Sequence, residues 1–129
     1  MAEDTTGNTL AASRVYAWDG MKERINANGS KSRDVLHGQL PTGEWVRVHQ
    51  TTQPAGLPPN PAHVIQHTEV ICIREGTVEF THDGQTGRAS AGELLLVAKG
   101  SLHGLRNVGD GPASYFVVAV GGDVQGGSK

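Results

Sequence analysis

Cysteine is nearly missing from this chain. Cys72 is the only one in 129 residues, which excludes an intramolecular disulfide and leaves nothing to argue for an oxidising compartment. With Val70, Ile71 and Ile73 around it, the thiol is expected to be a buried, inert core group, since reactive thiols favour electropositive, partly exposed settings. Charge of one sign is also missing. A formal net charge of -2 offers no basic field to attract nucleic acid or anionic lipid, so neither partner is expected. No apolar run approaches the ~20 residues of a membrane-spanning helix, and runs such as Leu94-Leu95-Leu96-Val97-Ala98 are strand length. Residues 1–12 are polar and hold no apolar segment of a signal peptide, so a cytoplasmic location is expected. There is no phosphate-cradling glycine loop, no nucleophile elbow and no cysteine-based zinc pattern, which leaves nucleophilic catalysis unsupported.

What the chain does have is punctuation. Eighteen glycines and six prolines break it into short β-prone runs, the pattern of an all-β sandwich or barrel. One domain is expected at this length. Residues 1–33 read as an N-terminal arm with a short packing segment, 34–120 as the barrel and 121–129 as a flexible tail. Within 15–25, a short strand followed by a helical turn is expected to pack an aromatic (Tyr16 or Trp18) against the barrel. Strands are expected over 34–40, 44–52, 62–65, 69–74, 77–82, 87–90, 93–98, 103–107 and 113–120. Asp83-Gly84 is a hairpin signal between two of them. Pro54, Pro58, Pro59 and Pro61 make 53–61 a connecting loop, because proline cannot sit in a central strand.

Two segments carry the chemistry. The first is His63-Val64-Ile65-Gln66-His67-Thr68-Glu69, closed by Gly76. The second runs from Gly92 through Gly100 to His103 and Asn107. Together they resemble the cupin superfamily, in its small single-domain bacterial form. The family's first motif places Gly, His-x-His, Glu and Gly in order. Here His63, Glu69 and Gly76 fit, Gly56 stands one residue early, and Ile65 replaces the second histidine. His67 falls where family members often carry an extra histidine that is not usually a ligand. The second motif is matched at every spacing, with Ala98 in place of proline. The resemblance covers roughly residues 51–120. It implies a double-stranded β-helix, or jelly roll, and a divalent metal (Fe, Mn, Ni, Cu, Co or Zn) held by His63, Glu69 and His103; His67, with Ile65 in a ligand's place, is read as a fourth ligand or an acid–base group. It also implies a homodimer, in which the N-terminal arm adds a strand to the partner's sheet edge.

Imidazoles and a carboxylate suit such a metal when they converge within a few ångströms. A straight strand from His63 to Glu69 would rise about 20 Å, so the chain must bend, and Gln66-His67-Thr68 is the expected place. Two histidines and a carboxylate leave coordination positions open for water or substrate. The plainer readings are a loop-edge His63, a hydrogen-bonding or solvent-facing His67 and a Glu69 that needs a partner among its apolar neighbours. Even without a metal, His67 and Glu69 are candidate acid–base residues.

Weaker candidates follow. Trp45, Arg47 and His49 alternate with Val46 and Val48. If the first face points inward, His49 and Arg47 are substrate contacts, Arg47 toward a carboxylate; otherwise they lie on a solvated sheet face, which is the ordinary expectation. Lys99 and Arg106 flank His103 at the barrel mouth. His82 reads as a hairpin-tip residue, His37 as structural, and Asn107 as fixing the turn after His103. Gly76, Gly92 and Gly100 are expected where a side chain would clash. The expected function is a metal-dependent enzyme, dioxygenase-like or a lyase or isomerase, acting on a small organic molecule in the barrel. The alternative is a non-catalytic binding or sensor module without a tightly bound metal.

Overall fold

Asp83-Gly84 forms the hairpin expected of it. Both residues take positive φ, 50° and 84°, the conformation that matches the twist of the flanking strands. They join β6 (Thr77–His82) to β7 (Gln85–Ser90). The computed structural model describes residues 9–126, and every expected strand is present within them. In order come β1 (Lys22–Ile25), β2 (Lys31–Gln39), β3 (Trp45–Gln53), β4 (His63–Val64) and β5 (Thr68–Glu75). After the β6–β7 hairpin follow β8 (Leu94–Val97), β9 (Leu102–Asn107) and β10 (Ala113–Val120). They build two antiparallel sheets, ordered β1-β2-β3-β10-β5-β8 and β4-β9-β6-β7. No helix among the described residues is long and apolar enough to cross a membrane.

The two ends differ from expectation. The turn in the N-terminal segment precedes its strand: a 3₁₀ turn, Trp18–Gly20, leads into β1. Trp18 stays 38% exposed and lies under the guanidiniums of Arg33 and Arg74, at 4.3 and 5.0 Å from its ring centre. The arm therefore docks through cation–π contacts rather than through apolar burial. Thr9 bridges Gln39 of its own chain, and residues 1–8 lie outside the described residues. At the other end, the tail expected to be flexible from residue 121 is folded as far as Gly126. A 3₁₀ turn, Gly122–Gly126, buries Val124 completely, and His37 Nε2 donates to the Val124 carbonyl at 2.7 Å.

The larger sheet has two unlike faces. Strand register places Leu96, Val70, Val118, Val48 and Leu36 in one row across five strands, and Leu94, Cys72 and Phe116 in the next. This apolar face points outward, with Leu94 65% and Leu96 66% exposed. Cys72 belongs to it, half-buried, which corrects the expectation of a core thiol. Ile71 and Ile73, its neighbours along β5, take the interior places at 3% and 4% exposure, and strand alternation sends Cys72 to the opposite face. The core joins these isoleucines to Ile65, Val78, Phe80, Val97, Tyr115 and Val117.

Of the motif glycines, Gly76 is the one that a clash explains. At φ +81°, its Cβ would lie 2.5 Å from the Pro112 carbonyl oxygen. Gly92 and Gly100 also have positive φ, but an added Cβ would meet nothing within 4 Å; their need is conformational. Gly92→Ala is therefore expected to cost about 1 kcal/mol of backbone strain. Gly76→Ala adds backbone displacement and should cost about 3 kcal/mol or more. Urea denaturation of the two variants tests this, and equal losses would refute the steric account.

Candidate functional site

The two sheets enclose a cavity of about 510 Å³. Its floor is the inner face of the larger sheet, and that face is polar along β3, where Arg47, His49, Thr51 and Gln53 all line the cavity. The ordinary expectation of a solvated Arg47–His49 face is thus corrected. Val46 and Val48 point instead toward the apolar outer face, so strand alternation turns the polar residues in. β10 adds Tyr115 and Val117, and β5 adds Glu69 and Ile71. From the smaller sheet come His63, His103 and Leu105.

The expected bend lies between β4 and β5. There the chain leaves the smaller sheet after Val64 and enters the larger one at Thr68. Ile65 turns into the hydrophobic core at 5% exposure. His67, 6% exposed, sits between two carboxylates: Nε2 is 2.8 Å from Glu69 Oε2 and Nδ1 is 2.7 Å from Asp123 Oδ1. For both contacts to be hydrogen bonds donated by the ring, His67 must be an imidazolium; otherwise one carboxylate carries the shared proton. The bond to His67 holds the Asp123 carboxyl below the usual carboxylate range. The partner that a half-buried Glu69 requires is therefore His67.

His63 and His103 face each other in register across β4 and β9, with ring centres 4.6 Å apart. His103 is 5% exposed, whereas His63 sits exposed at the rim. Burial, and secondarily the neighbouring His63, lowers the pKa of His103. Its Nε2 lies 3.9 Å from Glu69 Oε1, and its buried Nδ1 has no hydrogen-bond partner. In kind, these donors fit a divalent ion, and the 3.9 Å gap is one that an ion at ~2.0–2.2 Å from each atom would span. As the side chains stand, no three His, Cys, Asp or Glu groups among the described residues are arranged to hold a metal ion. Glu69 Oε2 is engaged by His67.

His49 belongs to the same cavity. Burial first, and the charge of Arg24 second, lower its pKa to about 4, against the opposing pull of Glu69. It is a neutral imidazole at neutral pH. Tyr115, which sequence reasoning passed over, accepts a hydrogen bond from Gln53 Nε2 at 2.7 Å, and burial pushes its hydroxyl up to about 12. The alternation of Ala113, Tyr115, Val117 and Ala119 carried the signal that Tyr115 points inward. For Asp123, in a glycine-rich tail, no local pattern existed to find it. Asn107 holds the turn, as expected, donating to the Gln53 and Gly111 carbonyls. Lys99 and Arg106 take no part in the cavity wall; Arg106 pairs with Glu79 at 3.0 Å.

An antiparallel two-sheet barrel enclosing such a cavity defines a class of small jelly-roll domain. The chain belongs to the cupin family: the Cupin domain model matches residues 48–119. An RmlC-like cupin from Shewanella frigidimarina superposes with a TM-score of 0.71 at 15% identity, covering 84% of this chain and 91% of that one. The polyketide cyclase RemF from Streptomyces resistomycificus gives 0.66 at 16% identity, with 84% and 79% covered. A predicted oxalate decarboxylase from Thermotoga maritima gives 0.64 at 16% identity, with 83% and 98% covered. At these identities the likeness is one of fold. No curated protein matches the chain.

The buried His49 makes a prediction about stability. A pKa reduced from 6.5 to about 4 means that the unfolded chain binds the extra proton between those values. Stability from keeping His49 neutral is therefore complete above pH 6.5 and is lost as pH falls toward 4, in total about 3 kcal/mol. His49→Gln should flatten that part of the profile while leaving slopes due to other groups. Urea denaturation of both proteins between pH 7 and 4 checks it; parallel profiles would show that His49 is not held neutral.

Proposed function

We propose that this cupin is a metal-assisted enzyme acting on a small organic molecule within the barrel. The observation that carries the reading is the convergence of His67 and His103 on the two carboxylate oxygens of Glu69, with His63 at the cavity rim. His63, Glu69 and His103 would hold the divalent ion (Fe, Mn, Ni, Cu, Co or Zn), which when bound supplies Lewis-acid polarisation of a substrate oxygen or redox chemistry. His67 is the acid–base group. Asp123 orients its ring from the far side through Nδ1, so Nε2 is placed to deliver or accept a proton on the cavity side. Tyr115, its hydroxyl already accepting from Gln53, keeps its own proton to donate to substrate. Ile65, Ile71, Val117 and Leu105 exclude water from the rest of the wall. Superposable cupins bear names as different as a cyclase and a decarboxylase, so the fold leaves the reaction open between dioxygenase-like, lyase and isomerase chemistry.

A non-catalytic small-ligand or sensor role is favoured by one observation, the burial of Ile65 in the core where a second histidine ligand would stand. Elemental analysis of tag-free protein distinguishes the two. Wild type is expected to retain near-stoichiometric metal after loading and dialysis, and His103→Ala to lose most of it. A wild type that stays metal-free after exposure to each ion in turn would refute the metalloenzyme and leave His67–Glu69 acid–base chemistry or simple binding.

A homodimer is part of the same proposal, supported by the exposed apolar row on the larger sheet. Sedimentation equilibrium should find a dimer for wild type and a monomer for the Leu94→Lys, Leu96→Lys double variant. A monomeric wild type would refute it.

A further inference from the structure

Arg47 has a guanidinium in the cavity wall with nothing to hold. Its Nη1 is buried without a hydrogen-bond partner. A buried charged donor left in that state is costly, and proteins rarely keep one without a use. Its neighbours do not supply the missing acceptor. Asp123 lies within electrostatic reach, but its Oδ1 is already bonded to His67 and its side chain is 60% exposed. His49 is also nearby and feels the positive charge of Arg47 as a destabilising influence on its own protonated form. Arg24, the other cavity arginine, is engaged by Asp34 at 3.2 Å and by Asn26 at 2.9 Å.

Register then fixes where Arg47 stands relative to the acid–base pair. Ala119 is opposite Arg47 across β3 and β10, and opposite Glu69 across β10 and β5. Arg47 and Glu69 thus flank one small residue on the same inward row, two strand spacings apart, or roughly 9–10 Å between Cα atoms. Ala119 itself is buried at 2% exposure, whereas Arg47 and Glu69 on either side of it both line the cavity. The carboxylate of Glu69 at the far end of the row is hostile to a second negative charge.

We propose that the cavity binds a compact monoanionic carboxylate between Arg47 and the His67–Glu69 pair. Its carboxylate pairs with the Arg47 guanidinium, and its uncharged polar end, a hydroxyl or oxo group, faces His67 and Glu69. This rests on the cavity being the substrate site, and it sets the substrate class within that reading. The fork of Arg47 matches a carboxylate with two parallel hydrogen bonds, which neither a lysine nor a neutral amide reproduces.

The test is titration of ¹⁵N-labelled protein with lactate and pyruvate, and with uncharged lactamide as the isosteric control, in the presence and absence of added Zn²⁺. Saturable shifts of the Arg47 Nε–H and of β3 and β10 amides are expected with the acids. Lactamide should bind at least tenfold more weakly. Arg47→Gln should lose at least tenfold in affinity for the acids, Arg47→Lys less, and Arg106→Gln on the surface nothing. If Arg47→Gln fails to fold, the Lys variant against wild type carries the same comparison. Equal affinity for acid and amide, or an acid affinity untouched at Arg47, overturns the inference. Carboxylate binding through Arg47 in protein that takes up no metal upholds it while the metalloenzyme reading fails. If none of the three compounds shifts any cavity resonance, the carboxylate inference falls, while the metalloenzyme reading stands or falls on the metal analysis.

Discussion

The contact on which the rest of the site depends is His67 held between Glu69 and Asp123. It joins three parts of the chain: the crossover from one sheet to the other, the start of β5 and the C-terminal turn. The backbone follows the same path, since Asp123 N–H donates to the Gln66 carbonyl at 3.2 Å. Gly122 lies so close to that carbonyl that any side chain there would collide with it. Because His67 Nε2 is hydrogen-bonded to Glu69, the sheet can carry a carboxyl group in its interior without the cost of an unpartnered buried polar group. Because exposed Asp123 bonds the other ring nitrogen, the three groups form a chain of proton partners reaching from cavity to solvent.

That joint allows an inverted sheet. On β3 the polar side chains face in and the valines face out, contrary to the rule that a half-buried strand hides its apolar residues. The inner row is stable only because its members have partners or neutral forms: Gln53 with Tyr115 and Asn107, Thr51 with Ser32, and His49 without its proton. Arg47 is the member without such relief. The apolar residues displaced from the interior form the outward row from Leu96 to Leu36, a face that water covers at a cost and that another protein surface covers at a gain.

Much of the fold was legible because turn chemistry and alternation are local. Asp83-Gly84 declared its hairpin, the four prolines their loop, and the spacing from Gly92 to Asn107 the second half of the cupin pattern. The histidine cluster was legible in part. His63, Glu69 and His103 could be assigned to one cavity through the resemblance to the cupin motifs, but alternation alone does not say which face of β3 is inward, and two valines argued for the wrong one. Cys72 misled in the same way, since apolar neighbours along a strand belong to both of its faces. Asp123 had no pattern at all. Its role arises from a return of the chain 56 residues after His67, and tertiary closure of that kind leaves no trace in a local window.

Ile65 and His67 together decide what sort of cupin this is. A histidine at 65 would share an alternating strand with His63 and point at the same place. Ile65 instead belongs to the core cluster with Ile71 and Val117, so that corner of the cavity is dry and offers no donor. The nearest imidazole, His67, has both nitrogens committed to carboxylates. A divalent ion here would therefore have fewer protein ligands than a full three-histidine, one-carboxylate set and more open positions, which weakens retention and widens access for substrate oxygens. The same loss leaves His67 free of the metal and available to move protons. The substitution at 65 thus shifts the balance of the site from holding an ion toward handling a substrate, and Arg47 on the opposite end of the row is placed to select that substrate by charge.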